Sequence, residues 1–289
     1  MTEQAVLFGA TGSLVGIVTE PSGAERRPDL PAFVFLNAGV THRVGPNRLS
    51  VRLARELAAD GFTSLRFDYS GLGDSAARTD NLTADKSVVL ETREAMDHLQ
   101  QAHGIDRFIL LGICSGAANS YVTAQADPRV VGAVLINGQA HLHGPDLALT
   151  DHLRARTLSH HGWRIALRSS YRSKNWRKVL AGQLNPLRIL RMLFSGARTQ
   201  QELALPDVLS ELRVLTGRGV RVFHLYCEGD EGLDYFHVVL GDAVREVATD
   251  DNSRFEIVAG SNHMFTLQWS QDRLAELVRA WAQPFRSRA

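Results

Sequence analysis

The run Gly112-Ile113-Cys114-Ser115-Gly116 sets a thiol between two glycines, after the apolar stretch 108–111 and before a helix-like run from Ala117 to Ala124. A nucleophile on a sharp strand-to-helix turn is a nucleophile elbow, and small residues must flank its apex. The apex also sits at a helix N-terminus, where unpaired N–H groups and the macrodipole favour negative charge. A thiol there loses its proton more readily, its pKa falling from about 8.5 toward roughly 3.5–7.5. The thiolate attacks activated carbonyls, and the acyl-cysteine that forms is itself a thioester. It can pass the acyl group to water, an alcohol, an amine or a thiol. Cys114 therefore points to thioester or activated-ester chemistry rather than to cleavage of unactivated amides. The alternative, an inert buried cysteine, does not account for the strand before the motif and the helix after it.

A nucleophilic thiol needs a base, and the base needs an orienting acid. In elbow enzymes the acid and then the histidine follow the nucleophile along the chain. Both belong at C-terminal strand ends, where open α/β sheets carry their sites. Among eleven histidines, His263 has that placement, in the loop 259–265 after the apolar run 255–258. His141, His143, His160 and His161 lack it, His224 lies inside a predicted strand, and His237 lies in a predicted helix. Asp230, just past the run 222–227, is the favoured acid, with Asp234 and Glu228 as rivals on the same loop. Glu228 falls while the chain is still in the strand. Asp234 falls where the next helix is expected to start, a position at which aspartate serves as an N-cap. The oxyanion donors are expected to be the backbone N–H groups of Ser115 and Val40, the latter in the loop Asn37-Ala38-Gly39-Val40. The Ser115 side chain is expected to point away from the apex. Gly39, His42 and Arg43 are the substrate-binding candidates. The last two either bond within their own loop or hold a substrate carboxylate.

The elements that must position these groups follow a strand–helix rhythm. Strands are predicted over 5–8, 14–18, 33–36, 62–67, 108–111, 130–136, 220–227 and 255–258. Helices are predicted over 47–60, 82–103, 208–216, 235–247 and 270–282. This alternation implies a mostly parallel central sheet with helices on both faces. The rhythm breaks between His141 and Pro206, where helix-like stretches occur without a good strand. Gly9-Ala10-Thr11-Gly12-Ser13-Leu14-Val15-Gly16 looks like a dinucleotide-binding glycine loop, but Ile17-Val18-Thr19-Glu20-Pro21 leaves no room for the helix such a loop must open. No cofactor and no metal is expected.

The chain has 289 residues, 44% hydrophobic and 22% charged, with a formal net charge of +1. That size holds one large core with room for an insertion, and the charge argues against a nucleic-acid partner. Two cysteines are too few for a disulfide framework, and nothing in their positions brings Cys114 and Cys227 together. No N-terminal signal pattern and no membrane-length apolar run occurs, so a cytoplasmic protein with no membrane association is expected. A homodimer is compatible with all of this.

Together the elbow, the loop Asn37-Ala38-Gly39, the segment Arg66–Ser75, the acid loop and Gly260-Ser261-Asn262-His263 resemble the α/β-hydrolase superfamily. The resemblance covers both flanks of the chain and leaves out 141–206. It implies an α/β-hydrolase core over 1–140 and 207–289 and a helical cap insertion over 141–206. It also makes Asp68-x-x-Gly-x-Gly-x-Ser a structural turn, so that Asp68 and Asp74 are not the catalytic acids. More narrowly, His42–Arg48 with the elbow looks like bacterial hydrolases associated with exosortase or polyketide-type gene clusters. Cysteine at the elbow also resembles dienelactone hydrolases, which are smaller and lack a comparable insertion, and polyhydroxyalkanoate synthases, which are much longer. The expected activity is acyl transfer to water through a Cys114–His263–Asp230 triad. Its alternatives are transfer or cyclisation onto a bound alcohol or amine, and a non-catalytic binding module on a hydrolase scaffold. Between 151 and 200 the insertion carries eleven Lys and Arg against the single acid Asp151. It is either a solvated basic face or a dock for an anionic carrier such as CoA or an acyl carrier protein.

Overall fold

The structure, a computed structural model, describes residues 1–23, 27, 29–138 and 208–287. The expected cap insertion, 141–206, lies outside the described residues. An eight-stranded sheet organises the rest, in the order β1-β2-β4-β3-β5-β6-β7-β8. Strands β1 (Thr2–Phe8) and β2 (Leu14–Glu20) form an antiparallel hairpin, and β2 pairs antiparallel with β4 (Ser64–Phe67). From β4 onward β3 (Ala32–Leu36), β5 (Phe108–Ile113), β6 (Val130–Ile136), β7 (Arg221–Cys227) and β8 (Ser253–Val258) run parallel. The glycine run 9–16 spans the hairpin turn and β2. No helix opens there.

Side chains of the central strands alternate between two cores, as the two-residue period of a strand requires. On one face Val34, Leu110 and Leu135 meet α2 (Ala84–His103), α3 (Ser115–Ala126), α4 (Val208–Gly217) and α5 (Glu231–Leu240). On the other, Phe33, Phe35, Ile109 and Phe223 meet α1 (Leu49–Ala59) and α7 (Gln268–Ser287). The short α6 (Val244–Thr249) packs on β8. Both faces of the parallel strands are thereby covered, which is what their near-continuous apolar sequences demand.

Several predicted bounds move, β1 starting at Thr2 and α7 running on to Ser287 among them. The strand expected over 62–67 begins at Ser64, because Phe62 and Thr63 close the turn after α1 through the Phe62 N–H to Leu57 bond. The single helix expected over 235–247 is two, α5 and α6. Its first part starts four residues early, at Glu231, and Gly241, at φ 51°, breaks the pair.

The chain leaves β3 toward β4 on one side and returns to β5 on the other. The C-terminal ends of β3 and β5 therefore border the topological switch point, where open α/β sheets form a crevice. The 37–41 loop and Cys114 lie there.

Candidate active site

Cys114 has φ 57° and ψ −121°, a left-handed conformation that costs a non-glycine residue about 1–3 kcal/mol. Its neighbours hold it there. A Cβ on Gly112 would fall 2.1 Å from the Gly116 backbone, and one on Gly116 would fall 2.7 Å from the Leu36 carbonyl oxygen. The Cys114 N–H donates to the Ile136 carbonyl at 2.9 Å, which fixes the apex to β6. The thiol is half-buried at the N-terminus of α3, with the Ser115 N–H beside it.

His263 stands beside this thiol, and each group shifts the other's titration. The other side of the imidazole, Nδ1, lies 2.6 Å from Asp230 Oδ2. The Asp230 carboxyl is buried, and its Oδ1 accepts the Gly232 N–H at 2.8 Å as the N-cap of α5. The hydrogen bond to Asp230, followed by that to Cys114, raises the His263 pKa from its usual 6.5 to about 10. The hydrogen bond to His263 lowers the Cys114 pKa against the opposing effect of burial. The two shifts run in the same sense: each favours the charged form, thiolate on Cys114 and imidazolium on His263.

The rivals for the acid are accounted for. Glu228 turns to the His263 loop from outside, its Oε2 accepting the Gly260 N–H at 3.2 Å. Asp234 lies within the first turn of α5, and Asp230 takes the cap that the sequence assigned to Asp234. His224 is buried within β7 against Phe236, and His237 lies on α5. His141, His143, His160 and His161 lie outside the described residues.

The loop after β3 is built on Asn37. Its Nδ2 donates to the Thr41 carbonyl at 3.0 Å and to Asp68 Oδ1 at 3.4 Å, and its Oδ1 accepts the Tyr69 N–H. Gly39 bends the chain at φ 54°, and the Thr41 N–H closes the turn on Ala38. Val40 stands 89% exposed at its tip. The Ser115 side chain has a partner of its own. It reaches across to this loop, where its Oγ accepts the Gly39 N–H at 2.6 Å. The Ser115 hydroxyl thereby braces the loop against the first turn of α3.

Of the two roles open to Arg43, the structure shows it engaged within the protein. Its guanidinium pairs with Asp68 and with Asp74, and its N–H donates to Asp68 Oδ1 at 2.5 Å. Two carboxylates, one fully buried, hold the group inward and neutralise it. His42 remains exposed beside it. Asp68 is the centre of a turn, with Ser75 Oγ donating to its carbonyl and Gly73 lying so close that a Cβ would fall 2.1 Å from Oδ2.

One residue at this edge carries no sequence signal beyond its position after an apolar run. Asn137 follows β6 at φ 46° and bonds to both β7 and the His263 loop.

Among the described residues no group of His, Cys, Asp and Glu could hold a metal ion, and no helix is long and apolar enough to cross a membrane.

The alpha/beta hydrolase family profile matches residues 33–280. No curated protein matches the chain. Among solved structures it is similar to proline iminopeptidase of Mycobacterium smegmatis, at 17% identity and TM-score 0.57 over 98% of each chain. It is similar to Est1E of Butyrivibrio proteoclasticus, at 12% identity and TM-score 0.56 over 99% of this chain and 100% of that one. An alpha-beta serine hydrolase homologue of Coxiella burnetii matches at 15% identity and TM-score 0.53, over 96% of this chain and 94% of that one. At these identities the likeness is one of fold.

Proposed function

The chain belongs to the α/β-hydrolase family, and from that premise we propose that it hydrolyses a thioester or activated ester through an acyl-cysteine on Cys114. The observation that carries this reading is the continuous chain of contacts from the Cys114 thiol through His263 to Asp230. The Cys114 thiolate attacks the carbonyl carbon, and the carbonyl electron pair moves onto oxygen. The N–H groups of Ser115 and Val40 receive that oxyanion, each such donor contributing about 2.7–4 kcal/mol of transition-state stabilisation. The tetrahedral centre collapses, the bond to the leaving thiol or alcohol breaks, and imidazolium His263 protonates the leaving group. Neutral His263 then takes a proton from water as that water attacks the acyl-cysteine. The acid departs, and the thiolate–imidazolium pair is restored. Asp230 fixes the imidazole through Nδ1 and stabilises its charged form.

Ser115 is the other hydroxyl or thiol at the apex. Its Oγ is engaged by the Gly39 N–H, which favours Cys114 as the nucleophile although one fold neighbour is described as a serine hydrolase homologue. The basic composition of 151–200 supports CoA or an acyl carrier protein as the acyl donor, with the insertion acting as a cap in a cytoplasmic enzyme.

Intact-mass analysis after brief exposure to an activated acyl thioester tests the reading. The wild-type chain is expected to gain one acyl group at Cys114, and Cys114→Ala none. Turnover retained in Cys114→Ala, or acylation of Ser115 in the wild type, would overturn it. Added alcohol or amine separates the two acceptor classes: free acid alone means hydrolysis, and a new ester or amide means transfer.

A further inference from the structure

The residue that follows β6 is fully buried and polar. Asn137 has 0% exposure and a left-handed backbone, which asparagine tolerates better than most residues with a Cβ. Its N–H donates to the Leu225 carbonyl at 2.8 Å and its side-chain Oδ1 accepts the Cys227 N–H at 2.7 Å, both on β7. Its Nδ2 donates to the His263 carbonyl at 2.7 Å and to Cys227 Sγ at 3.3 Å. Cys227 Sγ in turn donates to the Asn262 carbonyl at 2.9 Å. The adjoining Gly138 carbonyl accepts the Tyr226 hydroxyl and presses on the start of α5, where a Cβ on Gly232 would fall 2.8 Å from it. One side chain therefore bonds both the strand that leads to Asp230 and the backbone of His263 itself.

We infer that Asn137 is a positioning residue, whose amide clamps the His263 loop to β7 and so sets the imidazole between Asp230 and the Cys114 thiol. The inference rests on the Cys114–His263 reading of the site. Neighbouring strand ends are held together by backbone pairing only as far as Val258 on β8. Beyond it the His263 loop needs another anchor at the site, and the Asn137 amide with the Cys227 thiol supplies one. A carboxamide suits the place because it must accept from one backbone and donate to another at the same time. A carboxylate of the same shape keeps the acceptor but turns an oxygen against the His263 carbonyl.

Asn137→Asp is the sharpest test, with Asn137→Gly as a second variant that accepts the positive φ and lacks all three side-chain bonds. Three quantities are measured on full-length protein well below its melting temperature. They are kcat and KM on an activated acyl ester, the pH dependence of Cys114 alkylation by iodoacetamide assigned by peptide mass, and the circular dichroism spectrum. The expected result for a folded variant is a kcat lowered about 10- to 100-fold with KM within about twofold, as for a misplaced catalytic group. The inflection of Cys114 alkylation is expected to move upward in pH, because the thiolate loses its imidazolium partner. A folded variant with wild-type kcat and an unchanged alkylation profile would overturn the inference. So would failure of both variants to fold, which would make Asn137 a folding element alone. The alkylation profile does not depend on acyl transfer. If the wild-type chain forms no acyl adduct, the proposed function fails, and a shifted profile in the variants still supports the positioning role.

Discussion

At the scale of single residues, the proposed site is a thiol and an imidazole whose shifts favour their charged forms, held by a third group. Three features stabilise negative charge at Cys114: the helix N-terminus, the Ser115 N–H and the imidazolium. The pH dependence follows. Alkylation of Cys114 should rise at a pH below that of an ordinary thiol, and His263→Ala should move that rise upward. Turnover that relies on His263 as an acid should decline as pH passes about 10. Stopped-flow alkylation and kcat/KM profiles read the two limbs. For stability the sign is the same. The folded-state pKa of His263 exceeds its unfolded value, so its contribution is full below pH 6.5 and fades as pH rises through about 10. Ser115→Ala should release the Gly39 N–H and loosen the oxyanion loop. We expect kcat to fall about tenfold with little change in KM, and Ser115→Thr to restore it, because threonine keeps the hydroxyl. Little change in kcat on loss of the hydroxyl would remove the brace from the catalytic account. Cys114, His263 and Asp230 were readable as candidates because each follows a strongly apolar run in the order nucleophile, acid, base. The pairing of Arg43 was not legible because its partners, Asp68 and Asp74, lie on a different strand end, and only the fold brings them together.

At the scale of elements, the elbow depends on two glycines for lack of a side chain more than for flexibility. Gly112→Ala would drive a methyl into the Gly116 backbone. No rotamer relieves that clash, so α3 must shift away from β5. A loss of about 3 kcal/mol or more is expected in urea unfolding, in the range of severe overpacking. A variant as stable as the wild type would mean that the elbow is looser than its geometry indicates. The same view explains what the sequence hid. Strands β3, β5 and β6 were legible because each is apolar throughout and covered on both faces. The α5 start was not, because Gly232, a poor helix former, falls in its first turn. The Asp230 cap and the packing of Leu233 and Phe236 override it. Nothing in the residues 241–243 marks a helix break except Gly241.

At the scale of the whole molecule, the buried His224 makes the fold sensitive to acid. Both its ring nitrogens lack a partner among the described residues, and burial lowers its pKa to about 4. The unfolded chain binds a proton there from about pH 6.5 downward and the folded chain does not. Stability is therefore full above pH 6.5 and lost as pH falls toward 4, by about 3 kcal/mol in total. His224→Leu should flatten that part of the pH–stability curve, as measured by urea midpoints between pH 7 and 4. An unchanged slope would assign the acid sensitivity to other groups.

The proposed machinery is also dispersed across the sheet. Cys114 follows β5, Asp230 follows β7 and His263 follows β8, the last strand to be synthesised and an edge of the sheet. A growing polypeptide therefore exposes its elbow long before the imidazole exists to charge it. Until β8 docks, the thiol has only the helix N-terminus and the Ser115 N–H to favour its charge. On the proposed reading, completion of the sheet is thus the step that brings the imidazole to the thiol.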